Sequence, residues 1–245
     1  MVAEEELLVS GKVPPTILWD FDGTLVEGPG WGKVLIRVLD EEYPGHRITR
    51  EQIRVFLLEG FPWHNPERYH PELCDPTCWW ALVEAILVRA YQGVGFGIKE
   101  AKRLAQLAHQ VELDPAGYRT FEDTLPALQR LSDLGWRHVI LSNNFPELPH
   151  LLDKLPVKRF IHECISSGIT GYEKPNPAAF ALALDRAGHP GQVWMIGDSI
   201  SADVRGAEAA GIPTILARQS PAEPVKYYAR DLLEAVSIIE NQNSY

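Results

Sequence analysis

The chain has 245 residues, 23 of them basic and 33 acidic for a formal net charge of −10, and 45% of its residues are hydrophobic, with seven tryptophans. That composition excludes a disordered chain, and the acidic balance argues against nucleic acid or an anionic membrane surface as a partner. The length suits one large domain or a core with a smaller one inserted, and no apolar run approaches the length of a bilayer.

Met1-Val2-Ala3-Glu4-Glu5-Glu6 lacks the basic start of a secretory signal. Cys74, Cys78 and Cys164 are odd in number and lack a disulfide spacing, so they read as buried thiols rather than a zinc site, and a cytoplasmic location is expected. The first element is the short apolar run Ile17-Leu18-Trp19, a buried strand. It ends in Asp20-Phe21-Asp22-Gly23, where Asp22-Gly23 is a turn signal, so both carboxylates fall just past the strand's carboxyl end.

Gly28-Pro29-Gly30 then breaks the pattern, and a helical insert follows. Residues 31–43 carry Val34, Leu35, Val38 and Leu39 at helical spacing. Thr49 and Gln52 form a capping box for a second helix running to about residue 59. Residues 76–92 and 98–111 are the third and fourth helices. Gly93-Val94-Gly95-Phe96-Gly97 between them follows no strand and precedes no Lys-Ser/Thr, so it is a helix-helix turn rather than a phosphate loop. Residues 61–71 are long for a connector, and His64, Arg68 and His70 could meet a leaving group or merely pack the outer surface. Trp79-Trp80 reads as core.

The second half alternates. A helix over 121–134 closes at Gly135, followed by a strand over 138–141, a helix over 148–155 and a strand over 160–165. Next come a helix over 177–187, a strand over 193–196, a helix over 202–210, a last strand over 213–217, and a frayed tail from Asn241. Alternation of this kind implies an α/β fold with a doubly wound, mostly parallel, Rossmann-like sheet. The first strand must join that sheet across the insert. Residues 1–27 and 118–245 are therefore expected to form the core, with 28–117 an inserted α-helical cap.

Ligands of such sheets bind beyond the carboxyl ends of the strands. Ser142-Asn143-Asn144 follows the second strand, Asp198 and Asp203 follow the fourth, and Lys174 precedes a helix start. Together these groups suit phosphoryl transfer. Asp20 and Asp198 offer hard oxygens for Mg2+, a carboxylate can attack phosphorus, and Ser142 and Lys174 can hold the transferring oxygens. Singly, each has a plainer reading: Asp20-Phe21-Asp22-Gly23 as a polar turn, Ser142, Asn143, Asp198 and Asp203 as helix caps, Lys174 as a loop lysine. All of those plainer readings holding at four matched strand ends is a poor coincidence.

Asp20-Phe21-Asp22-Gly23-Thr24-Leu25, Ser142-Asn143, Lys174-Pro175 and Gly197-Asp198-x4-Asp203 resemble, in order, the four motifs of the haloacid dehalogenase superfamily. The insert resembles that superfamily's C1-type cap, as in phosphoglycolate phosphatase-like and beta-phosphoglucomutase-like members. The resemblance implies that Asp20 is nucleophile and metal ligand, and that Asp22 is general acid and base with its backbone carbonyl on the metal. It further implies that Ser142, Asn143 and Lys174 serve the phosphate, Asp198 ligates Mg2+, and Asp203 acts from behind the metal. Asp22 points to phosphate chemistry, because the superfamily's dehalogenases lack the second aspartate. The expected function is a Mg2+-dependent phosphatase of a small phosphorylated metabolite. A phosphomutase using the same aspartates and a noncatalytic scaffold are the alternatives, and the oligomeric state is not legible.

Overall fold

The computed structural model describes residues 13–243. Thr16–Trp19 (β1) is buried along its whole length, as a strand covered on both faces must be. Its neighbours in the sheet are Arg137–Ser142 (β4) and Val193–Gly197 (β6), but the chain first makes a short strand Val26–Glu27 (β2) and a helical region. That region holds Trp31–Glu42 (α1), Arg50–Arg54 (α2), Pro76–Gly93 (α3) and Ile98–Glu112 (α4). Arg119–Thr120 (β3) returns antiparallel to β2, with Val26 opposite Thr120. After Thr124–Asp133 (α5) and β4 come Leu148–Leu152 (α6), Ile161–Ser166 (β5), Pro177–Arg186 (α7) and β6. Gly206–Ala209 (α8), Thr214–Ala217 (β7), Tyr228–Ala229 (β8) and Leu232–Asn243 (α9) complete the chain.

The six-stranded sheet has the order β5-β4-β1-β6-β7-β8, and every pair is parallel. This is the expected α/β architecture with a helical insertion. One apolar cluster runs from Trp19, Phe21 and Leu25 through Trp79, Val83 and Leu104 of the insert, while a second, around Leu18, Val139, Phe180 and Met195, packs the other face of the sheet. We propose residues 28–117 as the cap, because the β2–β3 ribbon is where the chain leaves the sheet layer and returns to it. Among the described residues no helix is long and apolar enough to cross a membrane.

Several expected boundaries shift, each for a local reason. The capping box at Thr49 and Gln52 is present, but α2 stops at Arg54 and the chain tightens into a 3-10 turn over Val55–Leu57, beside which Arg89 donates to the carbonyls of Phe56 and Glu59. The helix expected from residue 121 starts at Thr124. Phe121 lies under the Arg218 guanidinium, 3.8 Å from its ring centroid, and the Asp123 carboxylate accepts from Arg218 and from Leu232 N–H. α6 ends early because Leu155, before Pro156, is extended. The helix expected from residue 202 begins as a π-helix at Ile200, with Ser199 as its N-cap. β7 is not the last strand, since β8 pairs outside it and α9 follows and runs through Asn243.

The cysteines are free, but Cys78 is exposed in the first turn of α3 and Cys74 and Cys164 are half-buried, which corrects the expectation of three buried thiols. The amino-terminal segment read for a secretory signal lies outside the described residues.

One buried histidine makes the sheet's stability depend on pH. Trp19 Nε1 donates to His138 Nδ1 at 3.0 Å, and an indole N–H can only donate, so that nitrogen carries no proton. Burial, with His162 adding, pushes His138 down to about 3. Its folded value lies below the unfolded one, so its contribution is full above about pH 6.5 and falls as acid is added. Between pH 7 and 5 the loss from this group is about 2 kcal/mol. His138→Gln should be less stable at neutral pH yet lose less on acidification than the native chain. Urea midpoints that fall in parallel for both would refute this.

Candidate active site

In the parallel register Trp19 lies opposite both Ile140 and Ile196, so the next residues on three adjacent strands emerge at one level. Asp20 follows β1, Ser142 closes β4 and Asp198 follows β6. Asp20 Oδ1 accepts from Lys174 Nζ at 2.8 Å and from Ser142 Oγ at 3.4 Å, and Oδ2 accepts from Thr24 Oγ1 at 3.3 Å. Lys174 Nζ also donates to Asp203 Oδ1 at 2.6 Å. Burial alone would neutralise this ammonium, which is 2% exposed, but the two carboxylates outweigh burial and hold Lys174 above the usual lysine range.

Each partner of that lysine is itself placed. The Asn143 amide spans its backbone, with Nδ2 donating to Lys174 carbonyl at 2.8 Å and Oδ1 accepting from Lys174 N–H at 2.7 Å. Asn143 was expected among the phosphate residues, orienting nearby groups, and its amide holds the lysine loop. Asp203 Oδ2 accepts from Ser199 N–H at 3.0 Å, and a Cβ at Gly197 would collide with the Asp203 carboxylate. Gly23 has φ +80°, and a side chain there would strike Asp198.

Carboxylate oxygens of Asp20, Asp198 and Asp203 lie within 4.8 Å of one another, a group able to hold a metal ion. The donor set is all hard oxygen, which suits Mg2+. Burial, with the neighbouring charges of Asp20 and Asp203, pushes Asp198 up to about 7, as expected of a site that needs a cation. Both oxygens of Asp203 and both of Asp20 already accept hydrogen bonds, which leaves Asp198 the least engaged carboxylate of the three.

Asp22 faces the other way. Its Oδ2 accepts from Asn144 Nδ2 at 2.8 Å, whereas Oδ1 is buried without a partner. Burial, reinforced by Asp20, pushes Asp22 up to about 7. Asn144 was quoted in the sequence beside Ser142 and Asn143 but given no role; Ser166 Oγ and Gly168 N–H both donate to its carbonyl, and its side chain fixes Asp22. Glu112, the final residue of α4, was also missed. It lies beside Asp22, and burial with that neighbour pushes it up to about 8. A single glutamate at a helix end carries no sequence signal of this kind.

A cleft of about 510 Å³ opens over the site, lined by Asp22, Asn144 and Asp198 from the sheet side and by Trp31, Trp63 and Trp79 opposite. Trp79 and Trp80 are core residues as expected, with Trp80 Nε1 donating to Glu147 Oε2 at 3.0 Å across the two layers. Of the connector, Trp63 reaches the cleft. His64 and Arg68 are exposed and His70 is buried, and none of the three lines it. Arg68 pairs with Glu72, while His70 N–H donates to Gly171 carbonyl and Tyr69 stacks on Tyr172, so this segment docks on the sheet layer.

A ring of aspartates at the ends of parallel strands, charge-paired to one buried lysine and covered by a helical insertion, defines a class of hydrolase. The family model described as haloacid dehalogenase-like hydrolase matches residues 14–211, and the chain belongs to that family. It is 29% identical over 217 residues to a phosphoglycolate phosphatase of Pseudomonas syringae, an alignment covering 87% of this chain and 73% of that one. It is 32% identical over 103 residues to a glyceraldehyde 3-phosphate phosphatase of Methanopyrus kandleri, covering 41% of this chain and 44% of that relative. The Bacillus subtilis hydrolase YfnB, whose structure is bound to magnesium, shares the fold with a TM-score of 0.73 at 19% identity over 94% of this chain and all of that one.

Asn143→Ala should release the Lys174 backbone without touching its charge. Losing two buried hydrogen bonds costs about 1–3 kcal/mol of stability, and turnover should fall at least tenfold as the ammonium loses its position. Unchanged turnover would show that Lys174 is held by its carboxylate partners alone.

Proposed function

We propose that this hydrolase is a Mg2+-dependent phosphatase of a small phosphorylated metabolite, acting through an aspartyl-phosphate on Asp20. The carrying observation is the asymmetry of the two aspartates. Lys174 Nζ donates to Asp20 at 2.8 Å and gives it a counter-charge, while Asp22 has only a neutral amide partner and burial favours its protonated form. The names of the curated relatives, phosphoglycolate and glyceraldehyde 3-phosphate phosphatases, support a small phosphate ester as substrate. The size of the cleft supports it too.

Asp20, Asp198 and the backbone carbonyl of Asp22 would hold Mg2+. When bound, the ion neutralises charge gathering on the phosphoryl oxygens. Asp20 attacks phosphorus, the bond from phosphorus to the leaving oxygen breaks, and Asp22 gives its proton to that oxygen. Asp22, now a carboxylate, takes a proton from water as the water attacks the same phosphorus. Phosphate departs and Asp20 is regenerated. Ser142 Oγ and Lys174 Nζ, both already on Asp20 Oδ1, are placed to hold oxygens of the transferring group, and Asp203 holds Lys174 from behind.

Excess chelator should abolish phosphate release and added Mg2+ should restore it; full activity in chelator would refute the metal requirement. A second experiment separates the aspartates. An aryl oxide leaves without help, whereas an alkoxide needs a proton. Asp22→Asn should therefore slow an alkyl phosphate severely, yet release a burst of phenol near one equivalent per site from an aryl phosphate before stalling as phosphoenzyme. Asp20→Asn should give no burst. Equal slowing of both substrates by Asp22→Asn, with no trapped phosphoenzyme, would remove Asp22 from acid and base catalysis.

A further inference from the structure

The wall of the cleft beyond Asp22 contains an acid with no counter-charge. Glu112 is 6% exposed. Its Oε1 accepts from the Tyr118 hydroxyl at 3.4 Å, at the long end of a hydrogen bond, and Oε2 is buried with no donor among the described residues. Asp22, the charged group that acts on it, worsens the situation because it is another carboxylate. Glu27, which also lines the cleft, is already paired with Lys33 and Arg119. Arg50, the cleft's basic residue, is exposed and lies against Gly32, and it forms no ion pair with Glu112. The remaining cap-side surface is indole, from Trp31, Trp63 and Trp79.

A buried carboxylate oxygen without a donor is costly unless something that enters the site supplies one. Beyond the aspartate group, the cleft offers an incoming molecule one buried carboxyl group with an unpartnered oxygen, and aromatic walls, a pairing that suits a cation able to draw that carboxyl into its ionised form. We propose that the alcohol released by this enzyme is a short one bearing an ammonium group, and that Glu112 is the residue that selects it. The proposal rests on the phosphatase reading and adds the leaving group's chemistry to it. Glu112 lines the same cleft as Asp22, so with the phosphoryl group at Asp20 and the leaving oxygen at Asp22 the rest of the alcohol would meet it. An ammonium placed there gives Glu112 the counter-charge that burial denies it. A carboxylate placed there supplies no such counter-charge and would oppose ionisation of Glu112 in a site with little water to screen it. This chain is therefore expected to differ in preference from its relatives named for phosphoglycolate.

Three phosphates of matched size test this: 2-aminoethyl phosphate, 2-hydroxyethyl phosphate and carboxymethyl phosphate, which is phosphoglycolate, with 4-nitrophenyl phosphate as a reference. On the native enzyme with Mg2+, kcat/KM should be at least tenfold higher for the aminoethyl than for the carboxymethyl ester, about 1.4 kcal/mol, with the hydroxyethyl ester between them. Glu112→Gln should shrink the aminoethyl-to-carboxymethyl ratio at least tenfold. Turnover of 4-nitrophenyl phosphate with a flat or reversed order among the three esters overturns the ammonium proposal alone, and needs no variant to fold. A ratio unmoved by Glu112→Gln removes Glu112 as the selector. No turnover of 4-nitrophenyl phosphate by the native enzyme overturns the phosphatase reading itself.

Discussion

One ammonium allows the rest of the site to exist. Asp20, Asp198 and Asp203 crowd the ends of two neighbouring strands, and Lys174 Nζ bridges two of them in the interior. Removing one member of a buried charge pair costs about 3–5 kcal/mol, because the charge left behind has no solvent. The arrangement is thus a set of mutual dependencies. Gly197 leaves room for Asp203, Asn143 fixes the loop that delivers Lys174, and Lys174 bridges Asp20 and Asp203. Asp198 forms no ion pair among the described residues, and with Asp20 and Asp203 it makes a group able to hold a metal ion.

The sheet supplies the precision. Parallel pairing of β1 with β4 and β6 sets three strand ends at one height, so groups 122 residues apart in the chain, Asp20 and Ser142, meet without any loop having to reach. Trp19, just before Asp20, is locked by its bond to His138 on the adjacent strand. The Asp20 backbone is therefore anchored from one side by the sheet and from the other by the Thr24 turn.

Much of this was legible in the sequence, and the parts that were not share a physical cause. The strands β1, β4 and β6 are continuous apolar runs ending in polar groups, so the expected positions of Asp20, Ser142 and Asp198 at strand ends agree with the fold. β2, β3 and β8 are two residues each, too short to show alternation. α9 was readable, since Leu232, Ala235, Val236 and Ile239 recur at helical spacing and are all buried. What sequence could not show was which side chains aim at each other across the insert. Asn144 and Glu112 come from distant elements and converge on Asp22, whereas His64 and Arg68, chemically attractive in the connector, point away from the cleft.

The β2–β3 ribbon has a bearing on how such an enzyme can diversify. Val26 pairs with Thr120, and Glu27 meets Arg119, so everything between them departs and returns through a gate one strand-pair wide. To the sheet, the intervening 91 residues from 28 to 118 behave as a loop whose ends are already tied, and lengthening or recomposing such a loop costs little closure entropy. The aspartates and lysine lie on the sheet side of that gate, while the indoles and Glu112 lie on the other. Chemistry and taste in substrate are thereby inherited as separable modules, and a new lid could be fitted to the same engine.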